Sequence, residues 1–290
     1  MSHPYRSEEQ AALPPVDRTH WPARRAWTSL LTASRAAYAL AAVGSPFLFD
    51  MIYPGPGAWV GVVLVVLVTA VVYAHAHAVA KASDAGREKF VATDVQAALH
   101  DLEPLLATSR LLPAAQAVIA LNVGACYTYL GRADVAVDLF DAVEEADTMR
   151  IEHRPVLWRY QAMARAVQGD LWGARKARGA LPGELGWIDA LLLCRERRYA
   201  ELIRHADAGD FILASEKTPY TESTLRALSL FVAFGWSMVE ASPLDGRVPA
   251  DEEAKALAIV RGATPGQRTS ILGLVAGWPE LRRYAEAHLG

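Results

Sequence analysis

The sequence predicts an all-helical protein: an N-terminal transmembrane helical hairpin followed by an α-solenoid of degenerate helix pairs. Three observations predict it. The run from Met51 to Ala80 contains no Asp, Glu, Lys or Arg. Further on, apolar residues recur at three- and four-residue spacing with glycines between the runs, which is the period of a helix and not of a strand. Hydrophobic residues make up 52% of the chain and charged residues 21%, with a mean hydropathy of +0.13. That balance is apolar for a chain wholly in water, so part of it is expected to face lipid. The expected organisation is a flexible tail and interfacial segment over residues 1–26, the hairpin over 27–80 and the helical repeat domain over 81–290.

Residues 1–20 are polar, carry Pro14-Pro15 and show no period, so they read as disordered. They are no secretory signal, because the apolar region starts too far along the chain. Trp21 and Trp27 with Arg24 and Arg25 have the composition of an interfacial anchor. Residues 58–78 supply the ~20 apolar residues that a membrane-spanning helix needs. The uncharged stretch between Arg35 and Asp50 reaches only roughly 21 Å at ~1.5 Å per residue. It spans by extending back to Trp27, with Arg35 reaching the interface. Residues 49–57 then form the turn. Arg24, Arg25 and Arg35 precede the pair, Lys81, Arg87 and Lys89 follow it, and the turn has no basic residue. The positive-inside rule then puts both termini and the repeat domain in the cytoplasm, at a bacterial inner membrane. A single span, with residues 36–49 lying in the interface, is the alternative. His75 and His77 read as water-reaching residues at the inner end of the second span.

Residues 82–107 form a helical run with Phe90, Val91, Val95, Ala98, Leu99, Leu102, Leu105 and Leu106 on its apolar positions. The run either prolongs the membrane helix or closes a first helix pair. Pro113 opens the next helix. The stretch 117–148, AVIALNVGACYTYLGRADVAVDLFDAVEEADT, breaks at Gly131 into two helices. Gly124 and Ala136 let them approach, and Tyr127 and Phe140 fill the space beside them. Val123-Gly124, Tyr127, Gly131, Ala136 and Phe140 resemble a tetratricopeptide (TPR) repeat, a helix pair of ~34 residues. Ala120 and Thr148 depart from that pattern, where a large aromatic and a proline are expected. Residues 154–181 repeat it with Trp158, Ala162, Gly169, Leu171 and Ala174, and with Arg178 where Phe140 stood. A third pair, 185–207, has Arg197 at its turn in place of glycine. Residues 220–240 read as a buried helix, since the charge-free run Ala227–Val239 is too short to span. Residues 245–261 read as a loop and a short partner helix, and two short helices around 265–276 and 278–288 close the array as a polar cap.

No phosphate loop, HExxH or GxSxG occurs, and no catalytic residue, cofactor or metal is assigned. Cys126 and Cys194 lie in helical apolar patterns and read as buried, inert thiols. The formal charge of −3 and pI of about 6.2 leave no overall basic field for nucleic acid. Asp134, Asp138, Asp141, Glu144 and Glu145 make one helix face acidic. Arg175, Lys176, Arg178, Arg195, Arg197 and Arg198 make the middle of the domain locally basic. The TPR resemblance implies a concave groove lined by the first helix of each pair, with Leu121 and Ala125 on that face. The peptide-groove candidates on it are Asn122, Tyr129, Arg159, Tyr160 and Met163. Asn122 stands where that family often holds a peptide backbone, whereas the lysines of the family's carboxylate clamp are missing. Gly124, Tyr127, Gly131, Ala136, Phe140, Trp158, Gly169 and Ala174 are the expected packing residues. The expected function is a membrane-anchored protein-binding adaptor or scaffold, with the bilayer as a partner through residues 27–80. The alternatives are a structural or regulatory subunit of an envelope complex held by its hairpin, and an enzyme of unrecognised class.

Overall fold

One turn geometry recurs along the chain and sets its architecture. The computed structural model describes residues 16–22, 57–181, 186–211 and 219–289, and among them the regular structure is helical, with no β-strand. The helices are α1 (Gly57–Val91), α2 (Val95–Leu102), α3 (Leu105–Thr108), α4 (Pro113–Tyr129), α5 (Ala133–Ala146), α6 (Arg154–Gln168) and α7 (Leu171–Gly179). They continue with α8 (Trp187–Arg195), α9 (Tyr199–Ala208), α10 (Pro219–Ser237), α11 (Pro249–Arg261), α12 (Pro265–Val275) and α13 (Pro279–Leu289). In α1–α2, α4–α5, α6–α7 and α8–α9, a left-handed residue ends the first helix: Thr93 (φ 68°), Gly131 (φ 78°), Gly169 (φ 95°) and Arg197 (φ 60°). The next amide then donates back into the helix just finished. Asp94 bonds the Lys89 carbonyl at 3.0 Å, Arg132 that of Tyr127 at 2.8 Å, Asp170 that of Arg165 at 2.9 Å, and Arg198 that of Leu193 at 2.9 Å. This closure satisfies carbonyls that a helix end leaves free. Glycine adopts it without strain. For threonine and arginine it costs about 1–2 kcal/mol, which the surrounding packing must offset.

The pairs stack in order. Helix α2 packs on α4, α4 on α6, α6 on α8 and α8 on α10, so these helices form one continuous layer. Helix α4 lies at its centre and is buried on nearly every side, from Ala117 to Tyr129. That explains its apolar composition all round, which suits a helix enclosed by neighbours.

The chain then doubles back. Helix α12 packs on both α4 and α10, and α12 and α13 follow the row of turns in order. A Cβ on Gly266 would meet the Thr93 carbonyl oxygen at 2.5 Å, and one on Gly273 the Tyr129 carbonyl oxygen at 1.9 Å. A Cβ on Gly277 would meet the Val167 carbonyl oxygen at 2.4 Å. At the last turn Arg197 reaches Glu280 at 3.4 Å. Residues 265–288 therefore lie along the edge of the array, on its turns, and not simply beyond its last pair.

Helix α1 is a single helix of 35 residues whose C-terminal half belongs to this array. Val79 and Phe90 are buried in the core. Gly86 lies against Leu102, His75 Nε2 is 3.0 Å from the Thr108 carbonyl oxygen, and Lys89 pairs with Asp101 at 2.5 Å. The expected hairpin over 27–80 is corrected here, together with the bilayer as a partner and the inner-membrane location. Among the described residues no helix is long and apolar enough to cross a membrane. Before His75 the described large apolar side chains of α1, Val63, Val66, Leu67, Val71, Val72 and Tyr73, are exposed. From His75 onward the helix turns polar and is taken up by α2, α3 and α4. The expected first span and most of its turn, residues 27–56, lie outside the described residues.

Candidate functional site

Helices α4 and α5 hold a short piece of the chain's own N-terminal region. Residues 16–22, VDRTHWP, fold on themselves before they dock. The Thr19 amide donates to Asp17 Oδ1 at 2.8 Å, the Thr19 hydroxyl bonds the same oxygen, and the Trp21 amide donates to the Arg18 carbonyl at 3.2 Å. These Thr19 donors hold the Asp17 carboxyl below its ordinary range. The Arg18 guanidinium lies 5.0 Å from the centroid of the Trp21 ring and 2.7 Å from Asp138 on α5. Val16 and Trp21 pack against the hydrophobic core, and Pro22 is buried.

The key contact is Gln116, in the first turns of α4. Its side chain is only 2% exposed. Both amide hydrogens are used: Nε2 donates to the His20 carbonyl and to the Leu106 carbonyl, each at 3.0 Å. A buried side-chain amide aimed at a main-chain carbonyl reads backbone and not side-chain identity. Asp138 adds a charge requirement, and the core beneath Val16 and Trp21 adds an apolar one. Reading residues 1–20 as disordered, and Trp21 as an interfacial anchor, missed this site. The available signals were the Asp-x-Thr turn and the Trp-Pro pair.

The sequence-predicted groove residues fall in three environments. Tyr129 is 3% exposed and packs edge-to-face on Phe90 at 5.6 Å, and Met163 is 1% exposed. Both are core residues. Tyr160 is half-buried and stacks on Phe140 at 6.1 Å. Asn122 is half-buried, and Arg159 is exposed. Leu121 and Ala125 are buried, so α4 presents little open surface. Among the packing residues, Gly124 lies against the Phe140 ring, Tyr127 donates its hydroxyl to Glu103 Oε1 at 2.5 Å, and Ala136 and Ala174 are fully buried. Gly131 and Gly169 make their turns, while Trp158 is half-buried.

The charged faces are largely paired within the protein. Asp141 accepts both oxygens' worth of contact from Arg165, at 2.7 and 2.9 Å, and Glu144 accepts from Gln161 at 2.9 Å. Arg178, at the position of the missing aromatic, donates to both Asp189 oxygens at 2.9 Å and so ties α7 to α8. Arg175 and Arg198 share Glu196. Arg195 donates to the carbonyls of Ala166 and Val167, at 3.0 and 2.5 Å, and to that of Gly277 at 3.4 Å. Its guanidinium lies 5.0 Å from the centroid of the Trp278 ring, and burial lowers its pKa to about 10. Lys176 lies over Trp172, which is 77% exposed. The locally basic stretch thus becomes a set of interhelix contacts with one exposed aromatic.

A cleft of only about 10 Å³ lies between Phe90, Thr93, Val95, Tyr129, Ser223 and Ser270. Small-molecule pockets usually span ~300–1,000 Å³. Among the described residues no group of three or more His, Cys, Asp or Glu is placed to hold a metal ion. No protein-family model, curated protein or solved structure matches the chain. The TPR resemblance and the membrane tether are corrected accordingly, to an all-helical chain with repeating helix pairs.

Proposed function

We propose that this chain is a protein-binding module, a scaffold of helix pairs whose α4–α5 face takes a short stretch of polypeptide. The observation that carries this reading is Gln116, a buried amide already holding a main-chain carbonyl that arrives from 96 residues away. Asp138 beside it supports selection for a basic residue. Asn122, Arg159 and Tyr160 are the groove candidates with surface left for contact, whereas Tyr129 and Met163 are core residues.

Photo-crosslinking in the native cell tests the reading. A benzoylphenylalanine is placed at Asp138, Asn122 or Arg159 of the full chain, and at Lys255 as a control on the far part of the chain. The expected result is one polypeptide adduct shared by neighbouring positions, weakened by Gln116→Ala. Adducts no different from those of the Lys255 control would overturn it.

A further inference from the structure

We infer that residues 16–22 are an intramolecular plug, and that the site they fill accepts in trans a peptide turn carrying arginine three residues ahead of a Trp-Pro pair. The inference rests on the protein-binding reading above and adds its regulation and its ligand class. Two features make the segment a ligand held in cis and not a fixed part of the fold. The first is the polarity of its seat. Gln116 keeps one amide hydrogen on Leu106, within the body, and gives the other to the segment. Gln116 is 2% exposed with the segment seated; when the segment leaves, the freed hydrogen faces the vacated seat, where water or another main-chain carbonyl takes it.

The second feature is how little holds the segment. Among the described residues its polar links to the helices are the Gln116 bond and the Arg18–Asp138 pair, with Pro22 buried beside them. Arg18 and Asp138 are 58% and 47% exposed, which makes a weak, salt-screened pair. Val16 and Trp21 are only half-buried. The turn, in contrast, is made within the segment itself, by Asp17, Thr19 and the Arg18–Trp21 bond. A ligand that brings its own turn and stacks its arginine on its own tryptophan arrives pre-organised, which lowers the cost of binding. A tethered ligand competes at an effective concentration of the order of mM, so a free peptide of the same chemistry meets a site already filled.

The test uses the full chain and a labelled peptide with the sequence of residues 14–23, followed by fluorescence anisotropy. The double variant Arg18→Glu with Trp21→Ala should empty the site and bind the peptide at least about tenfold more tightly than the parent. Asp138→Arg in that background should lose binding, and a peptide with glutamate in place of its arginine should regain it. In the parent chain, saturating peptide should raise hydrogen exchange across residues 16–22, a readout that does not depend on how the variants fold. Equal affinity for parent and double variant would overturn the plug while leaving the protein-binding reading standing. No peptide binding to either chain, with exchange unchanged, would overturn both plug and ligand class. The crosslinking above then decides the broader reading separately.

Discussion

A Cβ built on Gly124 would lie 2.3 Å from Cε1 of Phe140 and 2.6 Å from its Cζ. Helix α4 therefore meets α5 through bare backbone, with the Phe140 ring, fully buried, pressed onto it. Gly124→Leu should lower stability by about 1–3 kcal/mol or more, the usual range for overpacking. Denaturant unfolding of the full chain reads this directly. A midpoint equal to the parent's would mean that the ring has free space to move into.

Gly273 should be less forgiving than Gly124. Its nearest neighbours are backbone atoms, the Tyr129 carbonyl oxygen at 1.9 Å and the Gly131 nitrogen at 3.0 Å, and backbone cannot swing aside as a ring can. Gly273→Ala should therefore destabilise by more than Gly124→Ala. Gly179→Ala is the matched control, because no atom lies within 4 Å of the added carbon. It should be neutral or stabilising by about 0.4–1 kcal/mol, through the unfolded chain. The ranking of the three thermal midpoints checks the placement of α12.

Arg195 gathers three carbonyls from two distant parts of the chain. Arg195→Met removes their donor while keeping much of the volume, and should cost at least about 2 kcal/mol. Arg195→Lys should restore only part of that, since an ammonium lacks the planar fork. The loss should appear as faster hydrogen exchange at both the end of α6 and the start of α13.

The two thiols predict a pH response. Burial raises the Cys126 pKa from 9.0 to about 12 and raises that of Cys194 as well. In the native protein both should resist alkylation at pH 8 and react fully only in denaturant. Above pH 9 the unfolded chain releases these protons while the folded chain keeps them. The unfolded state then binds fewer protons, so stability falls as pH rises from about 9 towards 12. The parent should lose more stability across that window than the Cys126→Ala, Cys194→Ala double variant. Equal losses would show that thiol burial does not contribute.

Local chemistry was the legible part of this molecule. Gly131 and Gly169 announce their turns because glycine is the usual residue at positive φ. Thr93 makes the same turn and announces nothing, since its side chain signals no conformation it resists, and the turn at Arg197 was legible only by comparison with the neighbouring pairs. The apolar run before His75 was legible as helix. Its assignment to a bilayer came from hydropathy, which does not register that the same helix runs on past His75 into the array, where Val79, Gly86 and Phe90 face protein neighbours. The pairing of Gly124 with Phe140 was readable from spacing within one helix pair. The seating of Gly266, Gly273 and Gly277 on the turns was not, because those glycines belong to contacts with residues far back in the chain. The candidate site was the least legible element. Its carrying residue, Gln116, is a single glutamine near a helix start, and only the fold brings His20 to it.

The seat of Gly273 on the Tyr129 carbonyl also fixes an order of events during synthesis. An open array of repeats gains most of its stability from nearest neighbours and can settle one pair at a time as it leaves the ribosome. Here the edge of the early pairs is completed by α12, which emerges more than a hundred residues after Thr93 and Gly131. Until then Thr93, Gly131 and Val167 lack the neighbours that later cover them. The nascent protein must therefore wait with that edge bare, and a chain stopped short of Gly273 would carry the exposed seam permanently.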